Sequence, residues 1–312
     1  TQDFQKAEEM TARVIDMNKE ELKNYTADDV LMKTMALMSF VQAKLGNEDK
    51  AVEFAKTCKP EKYPTVSTYD FLGRAMLQIG RFDLSAKYFE QGLQYHSYQE
   101  DFRDNAASCY TLTGNKNYRN GNLDKAMQNY KRALELSPGY QGALTGIMAV
   151  YAKRGEAERA MQYGEKALSQ NATDNSTVKR FTQMCKGFGN KMRRKGNTQE
   201  AIRYYQKALE YNKQDADILN NLAWWMASSK DPEVRDLDRA LQLAQKAVQI
   251  TEEQDLACLD TLAEVYENKG KYKQALEYAR KAVQLGEKKE DMDISPVKNR
   301  VRRLQEKIAN DN

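Results

Sequence analysis

The residues that could do chemistry are few and scattered. His96 is the one histidine among 312 residues, so zinc binding or a proton relay built on several imidazoles is excluded. Cys58, Cys109, Cys185 and Cys258 stand singly, with no C-x-x-C pair among them; they read as small buried hydrophobes rather than a metal or redox set. Gly187-x-Gly189 follows no strand pattern and so does not open a nucleotide-binding turn. Glu252 and Glu253 fall between helical stretches and read as solvated. No nucleophile stands beside a base. The sequence predicts no catalytic residue, no metal site and no cofactor, and the chain is expected not to be an enzyme.

Recognition is the chemistry that remains. Asn220, Asn221 and Trp224 place two amides and an indole within one helical turn and a half. Amides pair with both donors and acceptors of an extended peptide, and tryptophan offers a large anchoring surface; structural packing of the same indole is the competing reading. Lys191, Arg193, Arg194 and Lys195 form a basic patch. From Asn175 to Gln214 there are ten Lys or Arg against two acidic residues, while residues 1–31 carry eight acidic and four basic. Such a patch fits a solvated helix face or an acidic protein partner. It lacks the interleaved exposed aromatics that base stacking needs, which argues against nucleic acid, and neither nucleic acid nor a membrane surface is the partner expected.

These residues are set on a regular frame. Gly46, Gly80, Gly121, Gly155, Gly196 and Gly270 are separated by 34, 41, 34, 41 and 74 residues, and a small residue stands five positions after each. Between Gly121 and Pro138, apolar or small residues at Leu123, Ala126, Met127, Tyr130, Ala133, Leu134 and Leu136 trace one helical face. Glycine turns one helix into the next and proline ends the second. Each unit thus reads as helix A, glycine turn, helix B. Charged residues at 30% and apolar ones at 41%, with five prolines, suit an all-helical chain.

These units resemble tetratricopeptide repeats. Gln141–Asp174 carries Leu144, Ile147, Tyr151, Gly155, Ala160 and Ala167 at the family's positions. Leu256–Lys289 carries Leu259, Leu262, Ala263, Tyr266, Gly270, Ala275 and Ala282. Tiling gives seven units over 32–65, 66–99, 100–140, 141–174, 175–215, 216–255 and 256–289. Only Pro138 fills the terminal proline position, and Arg235 stands where the sixth unit should have glycine. The resemblance implies an all-α, right-handed superhelical solenoid, with an N-terminal capping helix and connector over 1–31 and a C-terminal capping helix over 290–312. In the first of these Phe4, Ala7, Met10, Val14 and Met17 share a side. In the second Ser295 and Pro296 form an N-cap and first-turn pair.

The resemblance also implies where a partner would bind, because helices A line the concave face of such stacks. Carried over by position, the candidate contacts are Phe40, Arg74, Lys179, Gln183, Lys186, Asn220, Asn221 and Trp224, with Asp70, Asp104, Ser108, Asp217, Asp260 and Glu264 in the same columns. A clamp for an acidic chaperone tail would need basic residues where Ala257 and Thr261 stand, which excludes it.

The third and fifth units are seven residues longer than the 34-residue units. Seven residues are nearly two helical turns, so a lengthened helix A keeps its buried face in phase. Helices A of the third and fifth units should therefore extend about 10 Å further, in a ridge on one edge, with Gly114, Gly187 and Gly189 kinking or fraying them. The insertion around Ser228–Pro232 is not a whole number of turns and predicts a longer loop.

The function expected is a non-catalytic interaction scaffold that binds a protein or peptide segment in the concave groove. Self-association through an end or the ridge is a second possibility. The alternative is a regulatory or targeting module of a larger enzyme or assembly whose other domain lies upstream. The chain starts at Thr1 rather than Met, so an upstream segment, whether signal, anchor or further domain, is expected to have been cleaved or left out, and cytoplasmic and exported bacterial compartments both fit.

Overall fold

A computed structural model describes residues 27–62, 64–96, 100–288 and 293–310; the expected N-terminal capping helix lies outside the described residues. Fifteen helices and no strand occur among them. The chain divides into two compact units, Thr1–Ala172 and Thr173–Asn312.

In the first unit the helices are α1 (Ala27–Lys44), α2 (Glu48–Thr57), α3 (Val66–Gln78), α4 (Phe82–Tyr95), α5 (Glu100–Arg119), α6 (Leu123–Leu136), α7 (Gln141–Arg154) and α8 (Ala157–Gln170). In the second they are α9 (Asn175–Arg194), α10 (Thr198–Tyr211), α11 (Ala216–Ser228), α12 (Leu237–Ile250), α13 (Leu256–Asn268), α14 (Tyr272–Glu287) and α15 (Ser295–Asn310). Odd and even members pack as consecutive hairpins from α1–α2 to α13–α14, and α15 packs on α14.

All six ladder glycines turn with φ between +71° and +80°, a conformation that costs side-chain-bearing residues about 1–2 kcal/mol. At the sixth hairpin, where Arg235 replaces glycine, the path differs. The loop after Ser228 folds on itself through Asp231, whose carbonyl accepts from the Val234 N–H at 3.1 Å. Asp236 then caps α12 by accepting from the Asp238 and Arg239 amides.

The hairpins close on columns of alanine: Ala126, Ala133, Ala160, Ala167, Ala201, Ala208, Ala275 and Ala282 are all fully buried. A second device fits the larger side chains. Seven residues before the turn glycine, Gly73, Gly114 and Gly189 face the rings of Phe89, Tyr130 and Tyr205, each sixteen residues further on. A Cβ added at these glycines would lie 2.5–2.6 Å from the ring. In the fourth hairpin the sizes are exchanged: buried Met148 takes the glycine's place and Gly164 the ring's. Total volume is held while its distribution changes, as close packing requires.

Helices α5 and α9 are 20 residues long, against 13 or 14 for α3, α7, α11 and α13, an extension of about 10 Å. Both are continuous. Gly114 and Gly189 do not interrupt them; they make room for Tyr130 and Tyr205, whose hydroxyls donate to Asn115 Oδ1 at 2.8 Å and Asn190 Oδ1 at 2.7 Å. Helix α1 is also long, 18 residues starting at Ala27 rather than Met32. Gly46, Gly121 and Gly196 lie 75 residues apart, and from α1 to α11 long and short first helices alternate over a two-hairpin period.

At the C-terminus, Pro296 sits in the first turn of α15, but Asp293 rather than Ser295 supplies the capping oxygen, accepting from the Ser295 N–H at 2.9 Å. Val297 and Leu304 are buried at the spacing that Cys258 and Val265 show in α13. The places that in α13 face a second helix (Leu259, Leu262, Ala263 and Tyr266) are Lys298, Val301, Arg302 and Gln305 in α15. Three of these four places are polar, as a closing helix requires.

Candidate interaction face

The candidate contacts fall on first helices of hairpins, and the structure divides them into residues tied up inside the chain and residues left open. In the first unit, Phe40 is half-buried against Phe71, with ring centroids 6.0 Å apart and Lys44 Nζ 5.5 Å from the Phe40 ring. Arg74 Nε meets Asp70 Oδ1 at 2.7 Å one turn away on α3. Both positions are engaged at home.

The second unit is different. A cleft of about 820 Å³ runs along α9 from Asn175 to Asn190 and is closed by Tyr211, Asn212 and Asp215. It gathers three of the expected residues, Lys179, Gln183 and Lys186. Lys186 is neutralised by Asp215 Oδ1 at 3.4 Å and by Asp217. Burial pulls its pKa down, but these two carboxylates outweigh that and hold it above the ordinary lysine value. Lys179 and Gln183 are exposed. Thr182 lies between them in the cleft wall, 3% exposed, its hydroxyl without a hydrogen-bond partner.

On α11, Asn220 and Trp224 share a face, four residues apart. Trp224 is 37% exposed, and half-buried Trp225 meets it edge-on with centroids 4.9 Å apart. Asn220 Oδ1 and Trp225 Nε1 are both buried without a hydrogen-bond partner, an arrangement that costs about 1–3 kcal/mol per group. Asn221 lies one step round the helix, half-buried.

The equivalent positions of α13 are covered. Arg300 of α15, its side chain 14% exposed, reaches Asp260 at 2.9 Å, Glu264 at 3.0 Å and Glu267 at 3.2 Å. Glu267 also takes Arg303 at 2.8 Å and Lys307 at 3.0 Å. Burial raises its pKa, yet the hydrogen bonds from Arg303 and Lys307 prevail and bring it down to about 2. Glu264 further accepts from Ser228 Oγ at 2.6 Å.

Lys191, Arg193, Arg194 and Lys195 are exposed at the end of α9, where the helix dipole favours cations. The four cysteines are buried. Burial pushes Cys58 and Cys258 up to about 12, which removes the thiolate needed for reactivity. His96 is half-buried just past α4.

Sequence reasoning did not find Thr182 and Asn190 as cleft residues, nor Arg300 as the group that covers α13. The signal for the first pair was the seven-residue lengthening itself, which adds two turns of wall; nothing in the sequence pointed to Arg300.

Tetratricopeptide repeat models match residues 69–234 and 256–289, and the chain belongs to the tetratricopeptide repeat family. Repeats of this class are interaction modules, generally without catalytic activity, and the fold implies protein or peptide partners. No curated protein matches the chain in sequence. Among solved structures, YrrB, described as a TPR protein with an unusual peptide-binding site, is 22% identical over 64% of this chain and 93% of its own, with a TM-score of 0.40. MamA is 22% identical over 60% and 96%, with a TM-score of 0.41. A tetratricopeptide repeat protein from Parabacteroides merdae is 16% identical over 88% and 98%, with a TM-score of 0.37. No helix among the described residues is long and apolar enough to cross a membrane.

Proposed function

We propose that the chain is a non-catalytic scaffold of seven repeat units and that it binds a protein or peptide segment on the helix-A face of its second unit. The observation that carries this reading is the contrast between open and engaged positions. Phe40, Arg74, Lys186, Asp260 and Glu264 spend their side chains on internal partners. Lys179 and Gln183 are exposed, Trp224 keeps 37% of its surface open, and Asn220 has an unpartnered amide oxygen; they lie on α9 and α11.

Trp224 anchors the segment, and Asn220 and Asn221 serve its backbone. Such an anchor, when desolvated by a partner, contributes about 2 kcal/mol or more. Replacement of Trp224 and Asn220 by alanine should abolish capture of a partner recovered from native source by the unaltered chain, while helicity and melting temperature stay nearly unchanged. Capture that survives the double substitution refutes the assignment of the face.

A further inference from the structure

Resting on that reading, we propose that the cleft along α9 selects an extended acidic segment of about seven residues, held through its side-chain carboxylates.

The length follows from the helix. The cleft spans Asn175 to Asn190, about 22 Å at 1.5 Å per residue, and an extended peptide advances about 3.3 Å per residue. A first helix of 13 or 14 residues, as in α7 or α11, could not provide such a wall.

The sign follows from the donors. Lys179 is an exposed cation at the middle of the cleft with no ion pair among the described residues. Asn190 has its carbonyl oxygen taken by Tyr205, leaving its N–H groups. The Thr182 hydroxyl is buried and unpartnered on a side chain that lines the cleft. The one carboxylate in the wall, Asp215, is held by Lys186 and caps α11 by accepting from the Ile218 N–H at 3.1 Å. The wall thus offers donors and, in Lys179, one unpaired positive charge, while Asp215 and Asp217 are both engaged by Lys186. Beyond the cleft the basic end of α9 continues the same sign, which steers an acidic chain inward.

The chemistry needs no terminal carboxylate, and the test excludes one. The probe is a fluorescein-labelled, C-terminally amidated peptide of alternating Glu and Ala, seven residues long, titrated with the full chain by fluorescence anisotropy; its Lys–Ala counterpart is the control. The acidic peptide should bind and the basic one should not. Lys179→Glu should weaken binding tenfold or more, the scale of a lost charge-assisted hydrogen bond. Thr182→Val, which keeps the shape, should weaken it severalfold. Lys195→Glu makes the same charge change outside the cleft and should cost less than threefold. Circular dichroism should show all three variants folded as the parent.

Equal binding of both peptides, or an effect of Lys195→Glu as large as that of Lys179→Glu, overturns the proposal, because affinity would then follow net charge. If the acidic peptide fails to bind while partner capture still depends on Trp224 and Asn220, the inference falls and the helix-A face stands.

Discussion

Glycine in the middle of a helix is ordinarily a weakness, so replacing it by alanine should stabilise by about 0.8–1 kcal/mol. Gly187 and Gly189 in α9 test whether packing reverses that rule. A Cβ at Gly187 meets nothing within 4 Å, whereas one at Gly189 would lie 2.6, 2.8 and 3.0 Å from three atoms of the Tyr205 ring. The ring cannot swing aside cheaply: Tyr205 is fully buried and its hydroxyl is held by Asn190 at 2.7 Å. Overpacking of this kind costs about 1–3 kcal/mol. Gly187→Ala should therefore raise stability by about 1 kcal/mol, and Gly189→Ala should leave it unchanged or lower it by up to about 2 kcal/mol. Urea unfolding can be followed by circular dichroism and by fluorescence, since both tryptophans of the chain lie on α11 in the same compact unit. A double-mutant cycle with Tyr205→Leu isolates the contact and should show a coupling of about 1 kcal/mol or more. If Gly189→Ala raises the midpoint as much as Gly187→Ala does, the clash is not what keeps glycine there.

Two other positions carry tests of stability. Glu267 is held at about 2 against an ordinary 4.5; a lowered carboxylate pKa stabilises the fold fully above pH 4.5, and that contribution disappears as pH falls toward 2. It amounts to at most about 3 kcal/mol, reduced by solvent screening of the half-exposed Arg303 and Lys307. Melting curves of Glu267→Gln should lie below the parent at neutral pH and lose the parent's decline between pH 4.5 and 2; a parallel decline would place its origin elsewhere. Glu252 and Glu253 adopt φ of 49° and 58°, so Glu252→Gly should stabilise by about 0.5–1 kcal/mol, the relief of left-handed strain less the entropy glycine adds to the unfolded chain. Glu253→Gly should gain less, because Glu253 also pairs with Lys281 at 3.0 Å. An unchanged or lowered midpoint for Glu252→Gly would refute the strain argument.

The hairpins were legible because their determinants are periodic and local: a glycine that must turn left-handed, and small residues at fixed offsets from it. The lengthening of α5 and α9 was legible for the same reason, as a distance between two glycines. That of α1 was not, since no ladder glycine precedes Gly46 from which a gap could be measured. The roles of Gly114 and Gly189 were misread because helix propensity is a local argument, while the ring that needs the space stands sixteen residues away in the next helix. The candidate face was legible only as columns. Whether a column is open depends on partners such as Asp217, 31 residues from Lys186, or Arg300, 40 from Asp260, and no period in the sequence connects those.

Helices α5 and α9 separate what builds the fold from what is offered to a partner. Each is 20 residues long, each sets a glycine against a buried tyrosine, and each holds that tyrosine's hydroxyl with the asparagine next to the glycine. Their outward stripes share none of this likeness. Where α9 has Asn175, Lys179 and Gln183, the residues 75 positions earlier on α5 are Glu100, Asp104 and Ser108; Lys186 corresponds to Thr111, which is buried. The architecture does not require a lysine at 179, since the same frame carries an aspartate at 104. A residue type that the fold leaves free to change sign is one whose identity must be accounted for by what it meets outside the fold. On that ground the acidic preference we propose would belong to α9 and not to α5, whose matching stripe, with Glu100 and Asp104 exposed, would repel the same segment.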